Sequence, residues 1–84
     1  MIEMLKRKGF IEKIMEADRN IWELEISSRY GQVYKLSYCS FRTDRVFVVE
    51  NETGIIKLRS FGKANSRMDI ERFINKTIDY FKEA

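Results

Sequence analysis

The sequence holds few side chains that could carry out covalent chemistry. Cys39 is the single thiol, and the chain has no His to activate it. Cys39 also falls within a β-rich stretch, where a cysteine is usually a small interior hydrophobe. Glu23 and Glu25 share one side of a predicted strand and offer an acid and a base, but a solvated strand edge has the same pattern. We therefore expect a binding protein rather than an enzyme, with catalysis by carboxylates as the remaining enzymatic hypothesis.

The segment 61–67 places a glycine and two cations immediately before a predicted helix. Its spacing is not that of a nucleotide-binding P-loop. Free amide groups at the helix start, the helix dipole, Lys63 and Arg67 can together hold one phosphate or carboxylate. A capped helix start with solubilising charges explains the same residues, so the sequence predicts one anion contact there at most.

The charge is unevenly spread, because two stretches, 26–43 and 53–68, carry three and four basic residues and no acidic residue. Alternation along a strand places Lys57 and Arg59 on the same side. If a helix covers one face of the sheet, we expect the other face to present Lys35, Ser37, Phe41, Lys57, Arg59 and Phe61 together. The candidate nucleic-acid-binding residues are Arg29, Tyr30, Lys35, Phe41, Arg42, Lys57, Arg59, Lys63 and Arg67.

A sheet face that combines cations with aromatic rings is suited to single-stranded nucleic acid. Cations neutralise phosphates and release counterions, and rings stack on unpaired bases. Tyr30 and Phe41 are the predicted stacking residues. Binding of single-stranded nucleic acid on this basic–aromatic face is the leading hypothesis.

A protein partner is the alternative. Lys and Arg are common on the solvent side of a sheet, and Lys protects edge strands from aggregation. The same uncovered face would carry an apolar patch rimmed by charge, which is typical of a protein interface. Its predicted members are Val33, Cys39, Phe41 and Phe61. The alternative function is therefore a protein-binding regulator or inhibitor that acts through a sheet face or edge.

Four strands are predicted from apolar periodicity and turn residues. Residues 21–28 alternate strictly between apolar and polar, and 33–41 follow a tight turn at Gly31. Residues 45–50 form a short apolar run rich in β-branched side chains, typical of a strand inside a sheet. Gly54 ends a turn that requires a positive φ, and 55–61 then completes a hairpin.

The most regular pattern predicts a C-terminal amphipathic helix over 66–83. Ser66 is a suitable N-cap, with Asp69 at the capping-box position. Apolar residues follow at spacings of three and four. They are Ile70, Phe73, Ile74, Thr77, Ile78 and Phe81. We expect this stripe to pack on Trp22, Leu24, Ile26, Tyr34, Leu36 and Tyr38.

The first 17 residues are ambiguous. A short helix can end at Gly9 and be followed by a fifth strand, Phe10 to Ala17, which we favour because 18–20 resemble a turn. The competing interpretation is one helix from Ile2 to Ala17, with Gly9 costing about 1 kcal/mol inside it.

The sequence thus predicts one α+β domain over 1–84, an antiparallel meander of four to five strands with the C-terminal helix on one face. The 84 residues with net charge +3 suit a single small domain. No cofactor, metal or membrane span is expected. The lone cysteine favours the cytoplasm, and a homodimer is a hypothesis. Ten Ile against four Leu are typical of an AT-rich bacterial or phage genome.

Overall fold

A computed structural model describes residues 2–16, 21–41, 44–62 and 65–84, without the side chains at positions 2, 3, 21 and 41. The elements are α1 (Ile2–Glu16), β1 (Ile21–Ser27), β2 (Val33–Phe41), β3 (Asp44–Asn51), β4 (Gly54–Gly62) and α2 (Arg67–Glu83). The strands form one antiparallel sheet in the order β1-β2-β3-β4. The predicted α+β class, the meander and the C-terminal helix are confirmed.

The favoured interpretation of the N-terminal region was wrong. Residues 10–16 belong to the single helix α1 and not to a fifth strand. Phe10, Ile11 and Ile14 are buried together, and their spacing puts them on one side of a helix. Gly9 lies inside α1 and does not end it. Ala17 and the predicted turn at 18–20 lie outside the described residues.

The two described hairpin turns use the glycines that the sequence indicated. Gly31 has φ +83° and Gly54 has φ +133°, both in the region that side chains disfavour. In the β1–β2 turn the Ser28 hydroxyl accepts hydrogen bonds from the amides of Tyr30 and Gln32, at 3.2 and 3.1 Å. These bonds fix the register between β1 and β2.

Helix α2 begins as predicted. Ser66 is the N-cap, with extended backbone, and its hydroxyl accepts a hydrogen bond of 3.2 Å from the amide of Asp69. The inward side of α2 is the predicted apolar stripe, although Phe73 is only half-buried. Among the described helices, none is both long enough and apolar enough to cross a membrane.

Both helices pack on the same face of the sheet, which we call the covered face. Arg7 of α1 pairs with Asp79 of α2 at 3.0 Å, and Arg67 of α2 pairs with Glu12 of α1. Because early residues of one helix meet late residues of the other, the two helices run antiparallel. The expected packing of α2 on one face of the sheet is confirmed, with α1 sharing that face. Of the predicted partners, Tyr34 contacts Phe81 of α2, whereas Trp22 lies against Lys13 of α1. The core comprises Phe10, Ile11, Ile14, Ile26, Tyr34, Leu36, Tyr38, Phe47, Val49, Phe61, Ile70, Ile74, Ile78 and Phe81.

The opposite face, which we call the bare face, does not carry the predicted combination of residues. Lys35 and Ser37 lie on it. The covered face instead carries Lys57, Arg59 and Phe61, because they pair with Val49, Phe47 and Arg45. The predicted basic–aromatic platform on the bare face was therefore wrong, and so was the placement of Phe61 in its apolar patch.

Candidate functional site

The cations of β4 face a cleft between that edge strand and helix α2. The cleft has a volume of about 500 Å³, which lies in the range of small-molecule sites. Its lining residues are Lys57, Arg59, Phe61, Asn65, Asp69, Arg72, Phe73, Lys76, Thr77 and Tyr80. We call this the β4–α2 cleft.

The oblique path of α2 across the sheet opens this cleft. In the first half of α2, Phe73 contacts Phe47 of β3 and Phe61 of β4, with ring centres 5.3 and 5.2 Å apart. Near its end, Phe81 contacts Tyr34 of β2 at 4.7 Å. The helix therefore moves away from β4 as it proceeds, and β4 keeps its covered-face side chains accessible.

Aromatic rings form the floor of the β4–α2 cleft. Phe61 is buried and Phe73 is half-buried beside it. The guanidinium carbon of Arg59 lies 4.7 Å from the ring centre of Phe61 and 5.6 Å from that of Phe73. The Lys57 Nζ lies 5.9 Å from the Phe73 ring centre. These cation–π contacts hold the two strand cations over apolar surface, with their charges facing the cleft.

The cleft is strongly basic. Lys57 and Arg59 form a row on the strand, and Arg72 and Lys76 form a facing row one turn apart on the helix. Within the described residues, none of these four side chains has a carboxylate oxygen within 4.0 Å. Asp69 is the one carboxylate of the lining, so the cations outnumber the acids. A cleft lined by one sign of charge concentrates its field and attracts anions.

Tyr80 supplies an accessible ring to the lining. Its side chain is 68% exposed, and its ring packs edge-on against Phe81 at 5.0 Å. Because the two rings are perpendicular, at least one face of the Tyr80 ring is left open for a planar ligand. The cleft thus combines anion-binding cations with a surface on which a flat group can stack.

Two of the nine predicted site residues line the cleft, namely Lys57 and Arg59. Arg67 stands at the start of α2 but turns to α1, where it pairs with Glu12. Its Nε also lies 3.6 Å from Oε2 of Glu71, one turn later on α2. The hydrogen bond to Glu12, followed by the charges of both carboxylates, raises the pKa of Arg67 above its ordinary value. Its charge is therefore compensated within the chain.

The other predicted site residues are not brought to this cleft. Arg29 pairs with Glu83 at 2.7 Å and packs on the ring of exposed Tyr30 in the β1–β2 turn. Lys35 is exposed on the bare face. Arg42, Lys63 and the side chain of Phe41 lie outside the described residues.

Sequence reasoning missed the helix contribution to the site. Arg72, Lys76 and Tyr80 lie outside the predicted apolar stripe of α2, and none of them was among the candidate residues. These three residues recur at intervals of four, which places them in one row along the helix flank. This spacing was the signal in the sequence. A row of side chains next to the apolar stripe must lie at the border of the contact between the helix and the sheet.

The bare face has the opposite character. Cys39, Val46, Val48 and Leu58 form its centre. Its described charges are Glu23, Glu25, Asp44 and Glu50 against the single cation Lys35. Excess negative charge repels phosphates, so nucleic acid is disfavoured on this face.

Comparisons with protein-family models, with curated proteins and with solved structures give no match. In the described part of the chain, no group of three or more acidic or sulfur-bearing side chains is arranged to hold a metal ion. The chemistry of the site therefore depends on the groups that line it, which are four cations, three aromatic rings, one carboxylate, one amide and two hydroxyls.

Proposed function

We propose that this protein binds single-stranded nucleic acid in the β4–α2 cleft. The proposal depends on one observation, the two facing rows of uncompensated cations across an aromatic floor. The four cations contact phosphates, and Tyr80 stacks on an unpaired base. We also propose that the protein acts in the cytoplasm. The only support for this is the single cysteine, because proteins of reducing compartments rarely contain disulfides.

A single strand suits this cleft better than a duplex. A cleft of about 500 Å³ admits a short stretch of one strand, whose phosphates follow the two cation rows, and not a double helix. The bases of a duplex are already stacked on one another and cannot reach Tyr80. Single-strand binding proteins combine a basic groove with aromatic rings, and each stacked base contributes about 1 to 3 kcal/mol.

Salt dependence provides the first test. If three or four phosphates are bound, the affinity for a single strand should fall with a log–log slope of about −2 to −3. Between 50 and 200 mM salt this corresponds to about a 20- to 50-fold loss. Fluorescence anisotropy with labelled single- and double-stranded oligonucleotides measures both the slope and the preference. No single-strand binding at about 50 mM salt would refute the proposal.

A matched pair of arginine variants locates the ligand. Arg72→Ala should lower affinity about three- to tenfold for every sequence tested and reduce the salt slope by about 0.7. Arg67→Ala removes the same side chain five residues earlier, but its charge is already paired, so affinity should change less than twofold. Equal losses in the two variants would place the ligand outside the cleft. Circular dichroism verifies that both variants are folded.

Protein binding is the second candidate function, because the chain exposes apolar side chains on β4. Ile55, Ile56 and Leu58 are 69%, 45% and 64% exposed. Large exposed apolar side chains that cluster mark interaction surfaces. A homodimer is one form of such an interaction, and a monomeric mass by light scattering at working concentration would exclude it.

A further inference from the structure

Strand β4 is an edge strand with an unusual combination of properties. Within the described part of the sheet it pairs with β3 alone. It is nine residues long, and its side chains are exposed at every position from 54 to 60. An edge strand presents a row of unpaired amide and carbonyl groups, which is a template for another strand.

The two sides of this edge have different chemistry. On the covered face its side chains are Lys57 and Arg59, opposite Arg72 and Lys76 of the helix. On the bare face Leu58 pairs with Val48, and beyond a β-bulge Ile55 pairs with Glu50. A strand added at the edge would therefore meet cations on one face and apolar groups on the other.

Charge disfavours a second copy of the chain as that added strand. If two copies paired antiparallel through β4 with their covered faces on the same side, Lys57 and Arg59 of one copy would lie beside the same residues of the other. Like charges placed opposite each other across strands are destabilising. The cations thus protect the edge from self-association while they attract acidic side chains.

We propose that the edge of β4 binds an extended segment of a partner protein in which acidic and apolar residues alternate. Successive side chains of a strand point to opposite faces. Alternate acidic residues would then reach the cations of the β4–α2 cleft, and the apolar residues between them would pack beside Leu58. Backbone hydrogen bonds supply affinity in this mode of recognition, and the alternating pattern supplies specificity.

Such a segment would also control the cleft. Its carboxylates would occupy the cations that we assign to phosphates, so segment and nucleic acid would exclude each other. This regulatory consequence, unlike the binding itself, rests on the proposed function.

The probe is a synthetic eight-residue peptide of alternating Glu and Val, capped at both ends and fluorescently labelled. It should bind at least tenfold more tightly than three controls. These are a peptide with four Glu followed by four Val, an alternating Lys–Val peptide, and the Glu–Val peptide with every central amide N-methylated. Equal binding of the normal and N-methylated peptides, or of the alternating and block peptides, would overturn the inference.

A pair of protein variants tests the apolar side of the edge. Leu58→Gln should weaken the alternating peptide about three- to fivefold, because one cross-strand apolar contact is lost. Met68→Gln, at an equally exposed position on α2, should leave peptide affinity within twofold. Equal effects of the two variants on peptide affinity would contradict strand addition.

Oligonucleotide binding is measured on the same preparations. Peptide binding without oligonucleotide binding would refute the proposed function and keep the edge site. Oligonucleotide binding without preference for the alternating peptide would refute only the edge site.

Discussion

Two arginines of helix α2 have the same side chain but different surroundings, and therefore different capacities to bind an anion. Arg67 and Arg72 both lie on the exposed part of the helix. Arg67 faces α1, and its charge is compensated by Glu12 of that helix and by Glu71 of its own helix. Arg72 faces β4, where no carboxylate compensates it within the described residues. An anion therefore gains more from Arg72, although the sequence pointed to Arg67.

The buried hydroxyl of Tyr38 is a polar group in the core that should lower stability. Tyr38 is fully buried, and its hydroxyl has no hydrogen-bond partner among the described residues. Tyr38→Phe should leave the free energy of unfolding unchanged or raise it by about 1 kcal/mol, because an unsatisfied buried hydroxyl carries a desolvation penalty. Urea denaturation measures the change. Tyr80→Phe, at an exposed hydroxyl, should have no effect, and a loss above about 1 kcal/mol in Tyr38→Phe would reveal a missed partner.

Among the elements, α1 is the one whose type was wrongly predicted. Glycine and a following turn-like segment were taken as boundaries, yet burial of Phe10, Ile11 and Ile14 against the sheet and α2 favours a continuous helix. Tertiary packing outweighs the penalty of about 1 kcal/mol for one internal glycine. The strands were more predictable, because alternation and turn residues act locally.

Because α1 continues through Gly9, a substitution at this position should stabilise the protein. A Cβ added at Gly9 meets no atom within 4 Å, so Gly9→Ala should raise the free energy of unfolding by about 0.5 to 1 kcal/mol. The matched substitution Gly54→Ala should lower it, since φ +133° is strained for any side chain. Thermal and urea denaturation measure both. Destabilisation by Gly9→Ala would mean that α1 is broken at this position.

For the whole molecule, the decisive property is the separation of charge between the two sides of one sheet. The covered side carries the basic β4–α2 cleft, whereas the bare face carries four described carboxylates and Lys35. The net charge of +3 conceals this separation. An anionic ligand should therefore approach from the helix side alone.

Lys35 provides the test at this scale. Lys35→Ala removes a cation from the bare face, so oligonucleotide affinity should change less than twofold. Lys57→Ala removes one from the cleft and should weaken binding about three- to tenfold. Anisotropy at one fixed salt concentration compares them. If Lys35→Ala matched Lys57→Ala, the ligand would have to reach the bare face.

By itself, the sequence determined the α+β class, four strands with the two glycine turns that the structure describes, and the capped helix α2. These depend on periodicity, turn residues and capping, which act over a few neighbouring residues. It also established that Lys57 and Arg59 share a side of β4. Only the tertiary structure decided which side, because β3 has apolar residues on both faces and a shift of one residue in pairing exchanges the faces. The cleft itself arises from the angle at which α2 crosses the sheet, and that angle is set by packing between residues far apart in the chain.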